Sequence, residues 1–127
     1  MVEMSKKILL TASVLGALGV IFGAFGAHGL DALLTENQRH DTFDTAVRYH
    51  FYHVFALLAA GIIHQCCPLP GIRLCYYLFV SGLMIFSGSL YALSLTNISL
   101  LGAITPIGGV LLITGWITIA LGIRKLA

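Results

Sequence analysis

From Leu74 to Ile123 the chain runs 50 residues without one Asp, Glu, Lys, Arg or His. A single helix of that length would be roughly 75 Å long, more than twice the ~30 Å hydrocarbon core of a bilayer. The run must therefore fold back on itself, and the polar break it offers is Leu-Thr-Asn-Ile-Ser at 95–99. Two spans follow, at about 73–95 and 100–123. A further run from Ile8 to Ala27 lacks the same five residue types and sets a first span at about 8–29. A second span runs from about Ala46 to Cys66, closed by Pro68 and Pro70. Residues 1–127 are thus expected to form one all-α domain, a four-transmembrane-helix bundle.

Composition agrees with a lipid solvent. Only 9% of the residues are charged and 58% are hydrophobic, with a mean hydropathy of +0.96, whereas soluble domains carry about 25% charged residues. The net charge of +2 is too small to suggest a nucleic-acid partner; the expected partner is the bilayer itself.

An even number of spans puts both termini and the 67–72 turn on one side. That side carries Lys6, Lys7, Arg73, Arg124 and Lys125, while Arg39 and Arg48 share the other with Asp31, Glu36, Asp41 and Asp44. The positive-inside bias then places both termini in the cytoplasm. A competing reading takes Lys6-Lys7, the first apolar run and the small residues Ala24 and Gly26 as a cleaved signal peptide. The run is longer than the 7–15 residues of a usual signal core, and its removal would leave three spans and spoil the charge asymmetry.

Within the first span Ala12, Gly16, Gly19, Gly23 and Gly26 recur at alternating spacings of four and three, and in the fourth Gly108, Gly115 and Gly122 lie seven apart. Helices in lipid gain little from burying apolar surface against one another, so close backbone approach through small residues carries much of their association. Both stripes are expected to be packing faces. Pro106 leaves two readings of the fourth helix: a long helix from Leu100 kinked at the proline, which is preferred, or a shorter one capped by Thr105.

Polar residues converge on one level. His28 ends the first span; Tyr49, His50 and His53 open the second; Tyr91 and Thr105 reach the same outer layer from the third and fourth, with the histidines roughly 3–10 Å deep. Asp41 and Asp44 resemble an N-terminal cap of the second helix. Three readings of the layer remain open: an interfacial belt with wet polar tips, a mutually bonded structural cluster, or a functional site. A connected cluster predicts His28 within side-chain reach of His53 or Tyr91.

Other chemistry is thin. Cys66, Cys67 and Cys75, even with His64, lack the paired spacing of a metal site and read as soft hydrophobes. Asn97-Ile98-Ser99 fits a glycosylation acceptor, in a loop held close to the membrane. No phosphate-binding loop occurs, and no nucleophile stands beside a recognisable base. The expectation is therefore of no enzyme, no cofactor and no metal.

"GAFGAHGL" (23–30), "TAVRYHFYHVFALL" (45–58), "FSGSLY" (86–91) and "TPIGGVLLITGW" (105–116) occur in the order and spacing of a known family. The chain resembles the family that includes eukaryotic transmembrane protein 256 and a group of uncharacterised small bacterial inner-membrane proteins. The matched positions are Gly23, Gly26, His28, Tyr49, His53, Gly88, Tyr91, Pro106, Gly108, Gly109, Gly115 and Trp116. The resemblance implies four membrane helices and a bacterial inner-membrane location, and supplies no activity. Three classes of function stay open. The first is a structural or accessory subunit that packs with itself or within a larger complex. The second is a small-solute conduit or carrier entered through the polar layer around His28, His53 and Tyr91. The third is a haem or metal protein using His28 and His53.

Overall fold

The computed structural model describes residues 1–126. Five helices follow one another: α1 (Glu3–Ala27), α2 (Asp31–Asn37), α3 (His40–Cys66), α4 (Ile72–Thr96) and α5 (Leu100–Arg124). All except α2 are long and apolar enough to cross a membrane. The fold is all-α with four candidate spans. The central pair is α3 and α4; α1 packs on α3, and α5 on α4. Successive spans run antiparallel. The Val2 amide meets Gln65 Oε1 at 2.9 Å and Gly122 faces the Pro70 carbonyl, so both termini lie at the same end of the bundle, called here the terminal end.

The glycine stripes explain this order. Along α1, Gly16, Gly19, Gly23 and Gly26 face Val54, Phe51, Val47 and Phe43 of α3 in turn. A Cβ at Gly19 would stand 3.0 Å from the Phe51 ring, and one at Gly26 would overlap Phe43. Along α5, a Cβ at Gly108 would collide with the backbone amide of Phe86, at Gly115 with the Phe79 ring at 2.6 Å, and at Gly122 with the Pro70 carbonyl at 2.5 Å. A glycine absent from either predicted stripe, Gly82 of α4, seats Leu112 of α5 in the same way. Small residues let these backbones approach, and dispersion between closely packed atoms then holds them. Between the stripes, Leu57, Phe79, Leu83 and Leu112 form the apolar centre.

Three boundaries differ from the sequence reading. The helix α1 starts at Glu3, because Ser5 and Ile8 are fully buried at its base. The helix α3 starts at His40, ahead of the predicted cap. Asp41 lies in its first turn, where its charge suits the helix dipole, and no side chain caps the end. The segment between the first two expected spans, residues 30–45, holds α2. Leu30, Leu33 and Leu34 are spaced for one helical face, and Leu34 is fully buried. At its end Asn37 Nδ2 donates to the carbonyls of Ser94 (3.0 Å) and Leu95 (3.2 Å), and Arg39 Nε donates to Asn97 Oδ1 at 2.9 Å. The extramembrane segment is thereby tied to the α4–α5 turn, where Asn97 adopts a left-handed conformation (φ 54°). The fourth span takes the longer of the two forms considered: α5 runs through Pro106.

Candidate functional site

Of the four histidines of α3, His50 and His53 are buried, each 4% exposed, and they face different neighbours. Phe51 seats on Gly19, and this close approach sets the adjacent His50 against the α1 backbone. His50 Nε2 lies 2.8 Å from the Leu15 carbonyl, and Nδ1 lies 3.1 Å from the Tyr91 hydroxyl of α4. A carbonyl only accepts, so Nε2 carries the proton and donates. In the neutral ring Nδ1 then accepts from the Tyr91 O–H. Phe22 and Phe43 pack on the Tyr91 ring at 4.8 and 5.1 Å between centroids. One imidazole thus joins α1, α3 and α4.

His53 takes the opposite tautomer. The Trp116 indole of α5 donates from Nε1 to His53 Nε2 at 3.2 Å. An indole N–H only donates, so Nε2 is the acceptor and Nδ1–H donates to the Tyr49 carbonyl at 2.8 Å. Phe79 packs edge-on to both His53 and Trp116, at 5.3 and 5.4 Å. His53 is the middle residue of α3, and Trp116 lies in the half of α5 nearer the terminal end.

The expected single outer layer therefore resolves into separate bonded groups. His50 and Tyr91 are brought together; His53 pairs instead with Trp116. Thr105 meets neither histidine: its Oγ1 pairs with Ser89 Oγ at 2.7 Å, joining α5 to α4. Tyr49 is half-exposed, packs with a tilted ring on Phe86 at 4.7 Å and contributes its carbonyl to His53. His28 falls outside the cluster. It caps α1, is exposed, and its ring makes no hydrogen bond among the described residues. The physical reason is the helix end itself: the chain leaves α1 at His28, so the side chain stays at the surface instead of entering the α1–α3 seam.

Five residues that bond one helix to another lay outside the predicted set. Trp116 is the sole tryptophan in an apolar helix, and its N–H needs a partner. Ser87 and Ser89 flank Gly88 in "FSGSLY"; Ser87 Oγ donates to the Ala46 carbonyl at 2.9 Å, joining α4 to α3. At the terminal end Thr11 and Tyr76 join α1 to α4 at 3.0 Å. Among the described residues Ser5 Oγ alone is a buried side-chain polar atom without a partner.

No group of three or more His, Cys, Asp or Glu side chains is placed to hold a metal among the described residues. Ligation by His53 would break either the Trp116 or the Tyr49 bond, and ligation by His50 either the Tyr91 or the Leu15 bond. His28, the other half of the anticipated ligand pair, bonds to neither.

Four apolar spans joined by glycine contacts and internal hydrogen bonds define a small multi-pass α-helical membrane protein. Residues 22–109 match the family described as "Protein of unknown function (DUF423)". The UPF0382 membrane protein SSP2132 of Staphylococcus saprophyticus is 43% identical over 117 residues, spanning 89% of this chain and 96% of the relative. YwdK of Bacillus subtilis, also a UPF0382 membrane protein, is 38% identical over 121 residues, or 94% and 98% of the two chains. A UPF0382 membrane protein of Haemophilus influenzae is 37% identical over 122 residues, or 96% and 97%. No solved structure matches the chain. The chain belongs to this family of bacterial membrane proteins.

Proposed function

We propose that the protein is a structural or accessory helix-packing subunit of the bacterial inner membrane, self-associating or held in a larger membrane complex, with no catalytic or cofactor chemistry of its own. The observation that carries this reading is the occupancy of the interior polar groups: both ring nitrogens of both buried histidines are bonded within the chain. A buried polar group left unpaired in a membrane costs several kcal/mol, and here such groups are spent on joining helices. A conduit draws less support. Ser81, Thr114 and Thr118 each bond back to their own helix carbonyls and are not buried, and Leu57, Phe79, Leu83 and Leu112 pack between α3, α4 and α5.

The outward faces of α1 and α5, including Val14, Ile21, Ile107 and Ile113, are left to lipid or to a partner helix. Native electrophoresis of gently solubilised membranes tests the reading: a discrete assembly larger than the monomer supports it. A strict monomer that makes proteoliposomes leaky to a small solute would replace it with the conduit.

Two further outcomes are expected. The purified protein is colourless beyond the aromatic band and free of stoichiometric metal, as absorption and elemental analysis will read; a visible band lost on His53→Ala substitution would restore the haem class. Both termini are cytoplasmic, on the five-to-two division of basic residues. Reporter fusions after Gln38 and at the C-terminus check this, and periplasmic activity from the C-terminal fusion would reverse the orientation.

A further inference from the structure

We infer that the terminal end of the α1–α4 seam is a binding site for one anionic phospholipid, with its phosphate on Lys7 and Arg73 and an acyl chain along α1. The seam is loosely packed, bridged at this end by the Thr11–Tyr76 and Lys7–Tyr77 bonds, because the glycine stripe draws α1 onto α3. At its mouth Glu3, Met4, Lys7, Arg73 and Tyr77 line a cleft of about 270 Å³. Lys7 is held in place without a carboxylate. Its Nζ donates to Tyr77 Oη at 3.2 Å and stands 5.0 Å from the centroids of both the Tyr76 and Tyr77 rings. Such cation–π contacts orient an ammonium and leave its charge unneutralised. Among the described residues neither Lys7 nor Arg73 is in an ion pair; the one pair, His40 with Asp31, lies at the opposite end. Glu3 is the single acid at the mouth, against Lys7, Arg73 and the neighbouring Lys6.

The surface immediately deeper is apolar: Leu10, Thr11, Val14 and Leu15, one to two turns further along α1, line a shallow open depression of about 300 Å³ on that helix. Two fixed cations above an apolar groove complement an amphiphile with an anionic head. A free phosphate would use only the mouth; a zwitterionic lipid would gain less from it. The site stands whichever side of the membrane the termini occupy.

Native mass spectrometry of the full-length protein in detergent, titrated with phosphatidylglycerol or phosphatidylcholine of matched chains, tests it. One phosphatidylglycerol is expected to stay bound under conditions that strip phosphatidylcholine. The double substitution Lys7→Gln, Arg73→Gln is expected to weaken that binding about 30-fold. The substitutions Arg124→Gln and Lys125→Gln, at the same end but outside the cleft, leave it unchanged. Val14→Trp, which fills the groove and keeps every charge, weakens it as well. Inorganic phosphate does not compete. Equal retention of the two lipids, equal loss from both double variants, or displacement by inorganic phosphate would each overturn the site.

Discussion

Gly108→Ala is expected to destabilise the bundle by about 3 kcal/mol, the upper range for overpacking a closed core, although alanine is the better helix former. The added methyl would overlap the backbone amide nitrogen and Cα of Phe86, atoms that no rotamer change can move aside. Relief requires α5 to move away from α4, which loosens Gly115 on Phe79 and the Ser89–Thr105 bond together. Gly88→Ala is the internal control. Gly88 lies in a transmembrane helix as Gly108 does, yet a Cβ there meets nothing within 4 Å. That substitution is expected to be neutral or to stabilise by up to about 1 kcal/mol through helix propensity. Thermal melts in one detergent read both. Matching midpoints for the two variants would mean that the α4–α5 approach is looser than described.

The second large effect concerns His53. His53→Leu keeps the volume close to that of the imidazole but removes both ring bonds, leaving the Trp116 N–H without its partner. A loss of about 2–3 kcal/mol is expected, chiefly from the unpaired indole donor. Trp116 is the protein's single tryptophan, so intrinsic fluorescence reports this bond alone. The emission should move to shorter wavelength when the N–H loses its polar neighbour. His50→Leu should cost a comparable amount of stability, since it removes the bonds from α3 to the Leu15 carbonyl of α1 and the Tyr91 hydroxyl of α4, and leave the emission unchanged. A shift of the same size in both variants would show that fluorescence follows general loosening instead of the His53–Trp116 bond.

The spans and packing faces were legible in the sequence for a physical reason. In lipid an unpaired backbone N–H or C=O is costly, so long uncharged runs such as 74–123 are expected to be helical, and small residues at heptad spacing have few uses other than close approach. The stripe on α1 finds its counterpart residue by residue on α3, from Phe43 to Val54. The short helix α2 was missed because seven residues give too little periodicity to stand out from a loop, though Leu30, Leu33 and Leu34 carried the signal. The candidate site was half legible. Spacing on α3 put His50 and His53 near one another in sequence, but three residues turn a helix by about 60° from eclipse, enough to send one ring toward α1 and α4 and the other toward α5. Which neighbour each ring meets depends on how α3 is rotated within the bundle, and a single sequence does not encode that rotation locally. His28 marks the same limit: its position at the end of α1 was visible, and its outward direction was not.

The interior histidines serve as helix joints, each with a tautomer dictated by its partners. Nitrogen-15 spectra of the imidazoles, recorded on histidine-labelled protein in lipid bilayers and assigned with the His50→Leu and His53→Leu variants, test it most directly. Two neutral rings of opposite tautomer are expected: Nε2–H for His50, facing the Leu15 carbonyl, and Nδ1–H for His53, facing the Tyr49 carbonyl. The same tautomer in both rings, an imidazolium at either position, or a metal-shifted nitrogen would contradict it.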